Sequence, residues 1–329
     1  MLFSDYIGQE RWQRYFKQAL SNGRISHAYL LSGPRHIGKR TFAWALARAL
    51  SCQATSELPC GRCASCQAWL KSTHSHPDVV TLRCNIDASV IGIDEVRRFV
   101  ISLRTSPLIA PRRLALIEDV DSVTLEGLNV LLKTLEEPPT GVVLLVVSDS
   151  SAPLLSTVRS RLQECIFAPV TRGALARALE KRGVSRATAD ELAALAQGRP
   201  GLALHWHKQP QALAAHEAEG KRFINLCLAS LSGRFSFTEE VATVDQMDAK
   251  ELKGLVGHWL SFLRDCLVTS CGEPSFVAHV SLRSRLDALV RAKPRSHWLT
   301  AYFAGEFLET SLARNANRRL ALNTFFLTL

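Results

Sequence analysis

The stretch Ala28-Tyr-Leu-Leu-Ser-Gly33-Pro-Arg-His-Ile-Gly38-Lys39-Arg40-Thr41 decides the fold. It opens with an apolar run of strand length, Ala28 to Ser32, and passes into a helical pattern from Arg40 to Leu50. Between the two lie glycines and a lysine at the spacing of a phosphate-binding loop, in the strand–loop–helix context that such a loop requires. Backbone N–H groups there cradle phosphates, and the helix N-terminus adds a favourable dipole. A chance glycine-rich turn is the alternative. Glycines, lysine and context together argue against it.

Outward from the loop, strands and helical stretches alternate. Val79–Leu82 is a second strand candidate, Arg113–Ile117 a third that ends in acidic residues, Val142–Val147 a fourth and Glu164–Phe167 a fifth. The unbroken hydrophobicity of the fourth suits a strand buried on both faces of a parallel sheet. The pattern predicts a parallel α/β domain over residues 1–168. After Pro169 the strand signal disappears. Helical segments at Ala174–Arg182 and Ala187–Gln197, stopped by Gly198-Arg-Pro-Gly201, predict a small helical domain over 169–207. From Pro210 onward amphipathic helices dominate, with Leu252, Leu255, Val256, Trp259, Leu260 and Leu263 at helical spacing, which predicts an all-helical domain over 208–329.

The nucleotide site implied by the loop carries two lesions. The residue after Lys39 should be Ser or Thr, whose hydroxyl ligates Mg²⁺, but it is Arg40. Thr41 is no substitute, because one step along a helix turns the side chain by about 100°. An arginine beside a magnesium ion sets like charges together, at a cost of several kcal/mol at ~4 Å unless it swings away. The acidic strand end reads Glu118-Asp119-Val120-Asp121, with Glu where the metal-holding Asp belongs and Asp where the base belongs. Misplacement of a catalytic group by ~1 Å can cost on the order of a hundredfold in rate. Gly33, Gly38, Lys39, Arg40, Thr41, Glu118 and Asp119 therefore outline a degenerate nucleotide site. ATP or ADP binding is conceivable there, because the lysine and glycines are intact, but hydrolysis is not expected.

Cys52, Cys60, Cys63 and Cys66 follow the loop helix as C-x7-C-x2-C-x2-C. Four thiolates satisfy a tetrahedral Zn²⁺ and leave no open position for chemistry, so the expectation is a structural zinc module at 52–66. A redox pair is the competing reading, though a thioredoxin-like context is missing. His74 and His76, close by in sequence, are expected to be loop residues rather than ligands. Cys84, Cys165, Cys227, Cys266 and Cys271 are expected to be buried small hydrophobes.

Composition excludes some classes. The 329 residues carry 40 Lys+Arg against 30 Asp+Glu, a formal charge of +10, which fits work near an anionic partner such as nucleic acid. The alternative is a merely basic protein. Positive charge is diffuse, with a modest cluster at Arg283, Arg285, Arg291, Lys293 and Arg295, and no reading helix or RNA-binding motif is evident. The opening Met1–Asp5 lacks a signal-peptide pattern, no apolar run spans a bilayer, and clustered cysteines suit a reducing compartment, so the cytoplasm is expected.

Further segments carry a family resemblance. Ile7-Gly-Gln-Glu10 and Gly23-Arg24-Ile-Ser-His27-Ala28 lead into the phosphate loop. Leu128-Asn129 runs through Lys133-Thr134-Leu-Glu136-Glu137 to Pro138-Pro139, and Thr157-Val-Arg159-Ser160-Arg161 lies close behind. These resemble the bacterial clamp-loader branch of the AAA+ family over the first 205 residues. The likeness of the C-terminal third is loose, mainly through Asn315, Asn317 and the apolar tail Leu320–Leu329. The resemblance implies an AAA+ domain with a zinc insert, a helical lid and a C-terminal collar. It implies a hetero-pentamer with delta and gamma/tau subunits, which loads the sliding clamp onto primed DNA as part of the DNA polymerase III holoenzyme. It makes Arg161 a finger reaching the ATP of a neighbouring subunit, although the family's cysteine after it is Leu162 here; pairing of Arg161 with a nearby carboxylate is the alternative. Gly201 stands where motor subunits carry a sensing arginine. A non-motor role is thus the leading expectation, a gamma/tau-like ATPase motor the second, and a zinc-dependent nucleic-acid-binding protein the third.

Overall fold

The computed structural model describes residues 3, 6–55, 57–71, 74–84, 90–149, 156–242, 247, 249–314 and 316–329. Asn315 and most of Met1–Asp5 lie outside the described residues. The first part of the chain runs α1 (Glu10–Ser21), β1 (Ala28–Ser32), α2 (Lys39–Ser51), α3 (Ala64–Lys71), β2 (Val79–Leu82), α4 (Ile93–Ser102), β3 (Arg113–Ile117), α5 (Leu125–Glu136), β4 (Val142–Ser148), α6 (Ser156–Arg159) and β5 (Gln163–Ile166). Each predicted strand forms within one residue of its expected bounds.

The five strands make one parallel sheet in the order β2-β3-β4-β1-β5. Strand alternation sorts the side chains. Tyr29, Leu31, Leu114, Leu116, Val143, Leu145 and Val147 pack on one face with Phe16 of α1 and Phe42 and Leu46 of α2. Leu30, Ala115, Ile117, Val142, Leu144 and Val146 pack on the other with Val96 and Phe99 of α4 and Leu128, Leu131 and Leu135 of α5. All seven residues of β4 are buried. A fully buried Val or Leu side chain contributes about 1.5–3 kcal/mol, which is why a run with no polar alternation is stable only as an inner strand.

The order sets up the site. β3, β4 and β1 are neighbours, so the segments leaving their carboxyl ends meet at one edge of the sheet. In open α/β sheets this edge is where ligands bind.

Helices α7 (Arg172–Glu180), α8 (Arg186–Leu195), α9 (Pro200–Lys208), α10 (Pro210–Leu228), α11 (Leu231–Ala242), α12 (Ala249–Ser270), α13 (Arg283–Arg291), α14 (Arg295–Ala313) and α15 (Arg318–Phe326) follow. Past the end of α8 the chain turns through two left-handed residues, Gln197 with φ 50° and Gly198 with φ 76°, so the stop signal acts with the residue before it. Pro200, however, opens α9 instead of closing the helical segment, because a fixed φ and a missing N–H are no handicap at a first helical position.

The described chain divides into two compact units, Met1–Ala178 with Gly198–Leu202, and Leu179–Gln197 with Ala203–Leu329. These bounds do not follow cuts after 168 and 207. Gly198–Leu202 sorts with the sheet because the Gly201 N–H donates to the His36 carbonyl at 2.7 Å. The second unit is built around fully buried Trp259, Phe262, Trp298, Phe325 and Phe326. Leu252, Val256, Trp259 and Leu263 face this core, while Leu255 and Leu260 are half-buried at its margin. The buried guanidinium of Arg234 donates to the carbonyls of Leu226 and Cys227 at the end of α10 and of Phe326 at the end of α15, at 3.0, 2.9 and 3.1 Å. It satisfies helix-end acceptors that have no partner within their own helix. Arg283, Arg285, Arg291 and Arg295 are exposed, whereas the Lys293 ammonium turns to the Leu329 carbonyl. Among the described residues no helix is long and apolar enough to cross a membrane.

Candidate nucleotide site and cysteine cluster

The phosphate loop has the backbone its sequence requires. Gly33 and Gly38 adopt φ 144° and 102°. A Cβ at Gly33 would lie 2.4 Å from the Phe167 carbonyl, so only glycine fits. Lys39 opens α2 and is almost wholly buried. Its ammonium donates to the Gly33 and Pro34 carbonyls, both at 2.7 Å, and to Asp149 Oδ1 at 3.0 Å. Burial lowers its pKa, and the Asp149 carboxylate opposes that shift. Asp149, the first residue after β4, also accepts from Arg35 Nε at 2.5 Å.

Arg40 turns to the acidic end of β3 and pairs with Glu118, so its charge lies on the metal half of the site. Its Nη2 lies 2.6 Å from Glu118 Oε2; the Arg40 side chain is 55% exposed and that of Glu118 3%. The other carboxylate oxygen accepts from Trp44 Nε1 at 2.8 Å. Both oxygens at the first acidic position are thus engaged by the protein. Asp119 lies at the entry of a 3-10 turn, Val120–Ser122, and its carbonyl accepts from the Ser122 N–H at 3.1 Å. Asp121 reaches across to β4, accepting from Ser148 Oγ at 2.7 Å and from the Asp149 N–H at 2.6 Å. Burial raises the Asp121 pKa, against the pull of these two donors. Thr41 is exposed on α2. At Gly201 an added Cβ would lie 2.6 Å from the His36 carbonyl, so the position expected to lack a sensing arginine has no room for a side chain.

Arg161 is not part of this cluster. Its Nη1 donates to the Thr157 carbonyl at 2.7 Å and its Nη2 pairs with Glu136 Oε1 at 2.7 Å, in the isolated chain. The carboxylate pairing weighed against a finger role is therefore present. Neither side chain is deeply buried, so the pair is separable at modest cost.

The four cysteines converge. Their sulfurs all lie within 4.8 Å of one another, with Cys52–Cys63 at 3.9 Å and Cys60–Cys66 at 4.0 Å. A tetrahedral ion with bonds of about 2.3 Å would set its sulfurs about 3.8 Å apart, so the cluster has the dimensions of a metal site. These separations are about twice a disulfide bond. The N–H groups of Ala54 and Cys60 point at Cys52 Sγ, and that of Cys66 at Cys63 Sγ, each at 3.4 Å. Such donors favour thiolate over thiol. Hydrogen bonds from the Arg62 and Cys63 backbone bring the Cys60 thiol down to about 6, whereas burial raises Cys66 to about 12. The cluster can hold a metal ion.

Some residues differ from expectation. His76 lies in the connection between α3 and β2 and outside the cysteine cluster, as expected, but it is also buried: its Nε2 meets Ser65 Oγ at 3.0 Å, its Nδ1 accepts from the Asp78 N–H at 3.1 Å, and its ring stacks on Trp69. His74 packs edge-on against Trp44. Cys165, Cys227 and Cys266 are buried and Cys84 half-buried, but Cys271, just past the end of α12, is exposed. Sequence reasoning missed Asp149, Trp44 and Asp78. Asp149 had one available signal, a carboxylate directly after the most apolar strand, but only the strand order sets it beside the loop.

Sheet order, loop and acidic strand end define a phosphate-loop protein of the AAA+ kind. The family model described as DNA polymerase III, delta subunit, matches residues 8–171, and the chain belongs to this clamp-loader family. The gamma/tau subunit of Mycobacterium tuberculosis DNA polymerase III is 37% identical over 187 residues, 55% of this chain and 32% of the relative. The tau subunit of Bacillus subtilis is 32% identical over 180 residues, 54% and 31% respectively. The delta' subunit of Pseudomonas aeruginosa is 34% identical over 204 residues, 60% of this chain and 61% of the relative. The chain thus spans about a third of the gamma/tau relatives it matches and less than two thirds of the delta' relative.

Proposed function

We propose that this chain is the non-motor, delta-prime-type subunit of a DNA polymerase III clamp loader. In this reading it forms a hetero-pentamer with delta and gamma/tau subunits, acts in the cytoplasm in loading the sliding clamp onto primed DNA, and lends Arg161 to the ATP of a neighbour. The observation that carries the reading is the Arg40–Glu118 ion pair at 2.6 Å. A motor subunit needs a hydroxyl and a carboxylate there to hold Mg²⁺ between protein and nucleotide. Here one is replaced by a cation and the other is engaged by it. Glu118–Asp119 in place of Asp–Glu and the crowded Gly201 point the same way.

Residues 208–329 serve in this reading as the collar. Support comes from Leu299, Phe303 and Phe307, spaced by four on α14 and all exposed, a face suited to the helical domain of a neighbouring subunit. Residues 169–207 serve as the lid. The four cysteines hold one structural Zn²⁺, which supplies no chemistry beyond ordering the insert between α2 and β2.

A motor reading is favoured by one observation: the Mycobacterium tuberculosis gamma/tau subunit is 37% identical to the chain against 34% for the delta' relative, although the Bacillus subtilis tau subunit stands at 32%. Magnesium-dependent ATP hydrolysis by the purified chain decides between the two. Absence of turnover is expected; robust turnover would mean that Arg40 yields to the metal and that the chain is a motor.

A further inference from the structure

We propose that Asp149 is an internal occupant of the phosphate loop: its carboxylate takes the place of a nucleotide phosphate, and a nucleotide binds only by displacing it. This rests on the non-motor reading and deepens it. A phosphate loop concentrates positive charge in a lysine, the helix N-terminus behind it and any flanking cation. In this chain each side chain of that set already has an anion. Asp149 Oδ2 takes Arg35 Nε at 2.5 Å and Oδ1 takes the Lys39 ammonium at 3.0 Å. The two remaining Lys39 donors go to the Gly33 and Pro34 carbonyls, which accounts for all three. Lys39 is 4% exposed and Asp149 31%, so the lysine is the buried partner and the carboxylate the one placed to leave.

The carboxylate is held where it is. Asp121 accepts from the Asp149 N–H at 2.6 Å and from Ser148 Oγ at 2.7 Å, tying the end of β4 to the segment after β3. β4 lies between β3 and β1 in the sheet, so this clasp aims Asp149 at the loop that leaves β1. The metal half of the site is closed in the same manner by Arg40 on Glu118. The two pairs together supply internally the charges that Mg²⁺ and phosphate bring to a motor subunit. The loop is thereby kept in one arrangement through every cycle of its neighbours, as a rigid subunit requires.

Binding of a fluorescent ADP analogue to the full-length chain tests this, measured with Mg²⁺ and with EDTA for the wild type, Asp149→Asn and Asp149→Glu. Asp149→Asn should bind at least tenfold tighter than wild type and equally well with EDTA, since Arg40–Glu118 is untouched. Asp149→Glu, which keeps the charge, should stay weak. Should Asp149→Asn fail to fold, Asp149→Ser carries the same expectation. A folded neutral variant that binds no tighter than wild type overturns the inference, as does tight binding by the wild type. ATP turnover is measured on the same wild-type protein. Magnesium-dependent turnover sinks the non-motor reading itself, whereas no turnover with unchanged binding in the neutral variant sinks only the role of Asp149.

Discussion

Three backbone N–H groups, from Leu108, Ile109 and Ala110, converge on the fully buried carboxylate of Asp78 at 2.6, 2.9 and 2.7 Å. Burial by itself would raise the pKa of this group; the three donors outweigh it and hold the acid below its usual value. A carboxylate with a depressed folded pKa adds stability above its unfolded pKa and loses it as pH falls through the folded value. Replacement of Asp78 by Asn should therefore destabilise the chain by about 1–3 kcal/mol near neutrality. The gap between variant and wild type should narrow below about pH 4, where the unfolded acid takes up its proton. Urea unfolding at several pH values checks both, and a gap that widens on acidification would refute the account. Gly201 makes a second residue-scale case. With the His36 carbonyl 2.6 Å from any added Cβ, Gly201→Ala should cost about 1–3 kcal/mol by overpacking, and Gly201→Arg no less. A sensing arginine is thus excluded here by packing as well as by sequence.

Among elements, the insert between α2 and β2 shows how local order is obtained without a core of its own. α3 is only eight residues long, too short to persist by propensity. It is pinned from both sides, by the cysteine cluster at its start and by Trp69, whose Nε1 donates to Ser51 Oγ at 2.8 Å and whose ring stacks on His76. Elemental analysis of chain purified without chelator should find one zinc, and none in Cys60→Ser/Cys63→Ser. Exhaustive chelation should disorder the insert while leaving the parallel sheet, whose core contains none of the four cysteines. Retention of native tryptophan fluorescence at Trp69 after complete metal removal would contradict this. Arg234 plays the corresponding part in the second unit: Arg234→Leu strands buried carbonyls of two helices and should cost upwards of about 1–3 kcal/mol. Arg234→Lys should restore little, because one ammonium cannot span the fork that reaches both helix ends.

On the scale of the whole molecule, the proposed function gives the partly exposed Arg161 and the exposed α14 face their roles only in an assembly. Arg161→Ala should leave the melting curve of the chain unchanged within about 0.5 kcal/mol, since it removes an exposed pair. It should slow ATP turnover by the reconstituted loader, where a trans arginine is worth about 10³–10⁵ at a single site. Because one site among several is affected, the observed loss in the full complex should be smaller. Unchanged turnover would leave Arg161 as half of a local ion pair with Glu136. Phe303→Glu/Phe307→Glu should likewise spare the fold but weaken assembly, seen as loss of co-elution with partner subunits.

What the sequence determined by itself is what rests on local periodicity and on residue type at fixed spacing. The five strands, the loop with its glycines and lysine, Arg40 in the place of a Ser or Thr, and the four-cysteine cluster were legible because each depends on neighbours in the chain. Tertiary structure alone decided which charges meet. That Arg40 closes on Glu118, that Asp149 reaches Lys39, and that Gly201 abuts His36 depend on β3, β4 and β1 lying side by side, and strand order leaves no trace in hydrophobic pattern. The same holds for Asp78, whose donors Leu108, Ile109 and Ala110 lie on a distant stretch of the chain, and for the Arg234 bond to Phe326. An ionisable residue reads as a solvated surface group until the fold buries it, and burial then obliges it to find a partner.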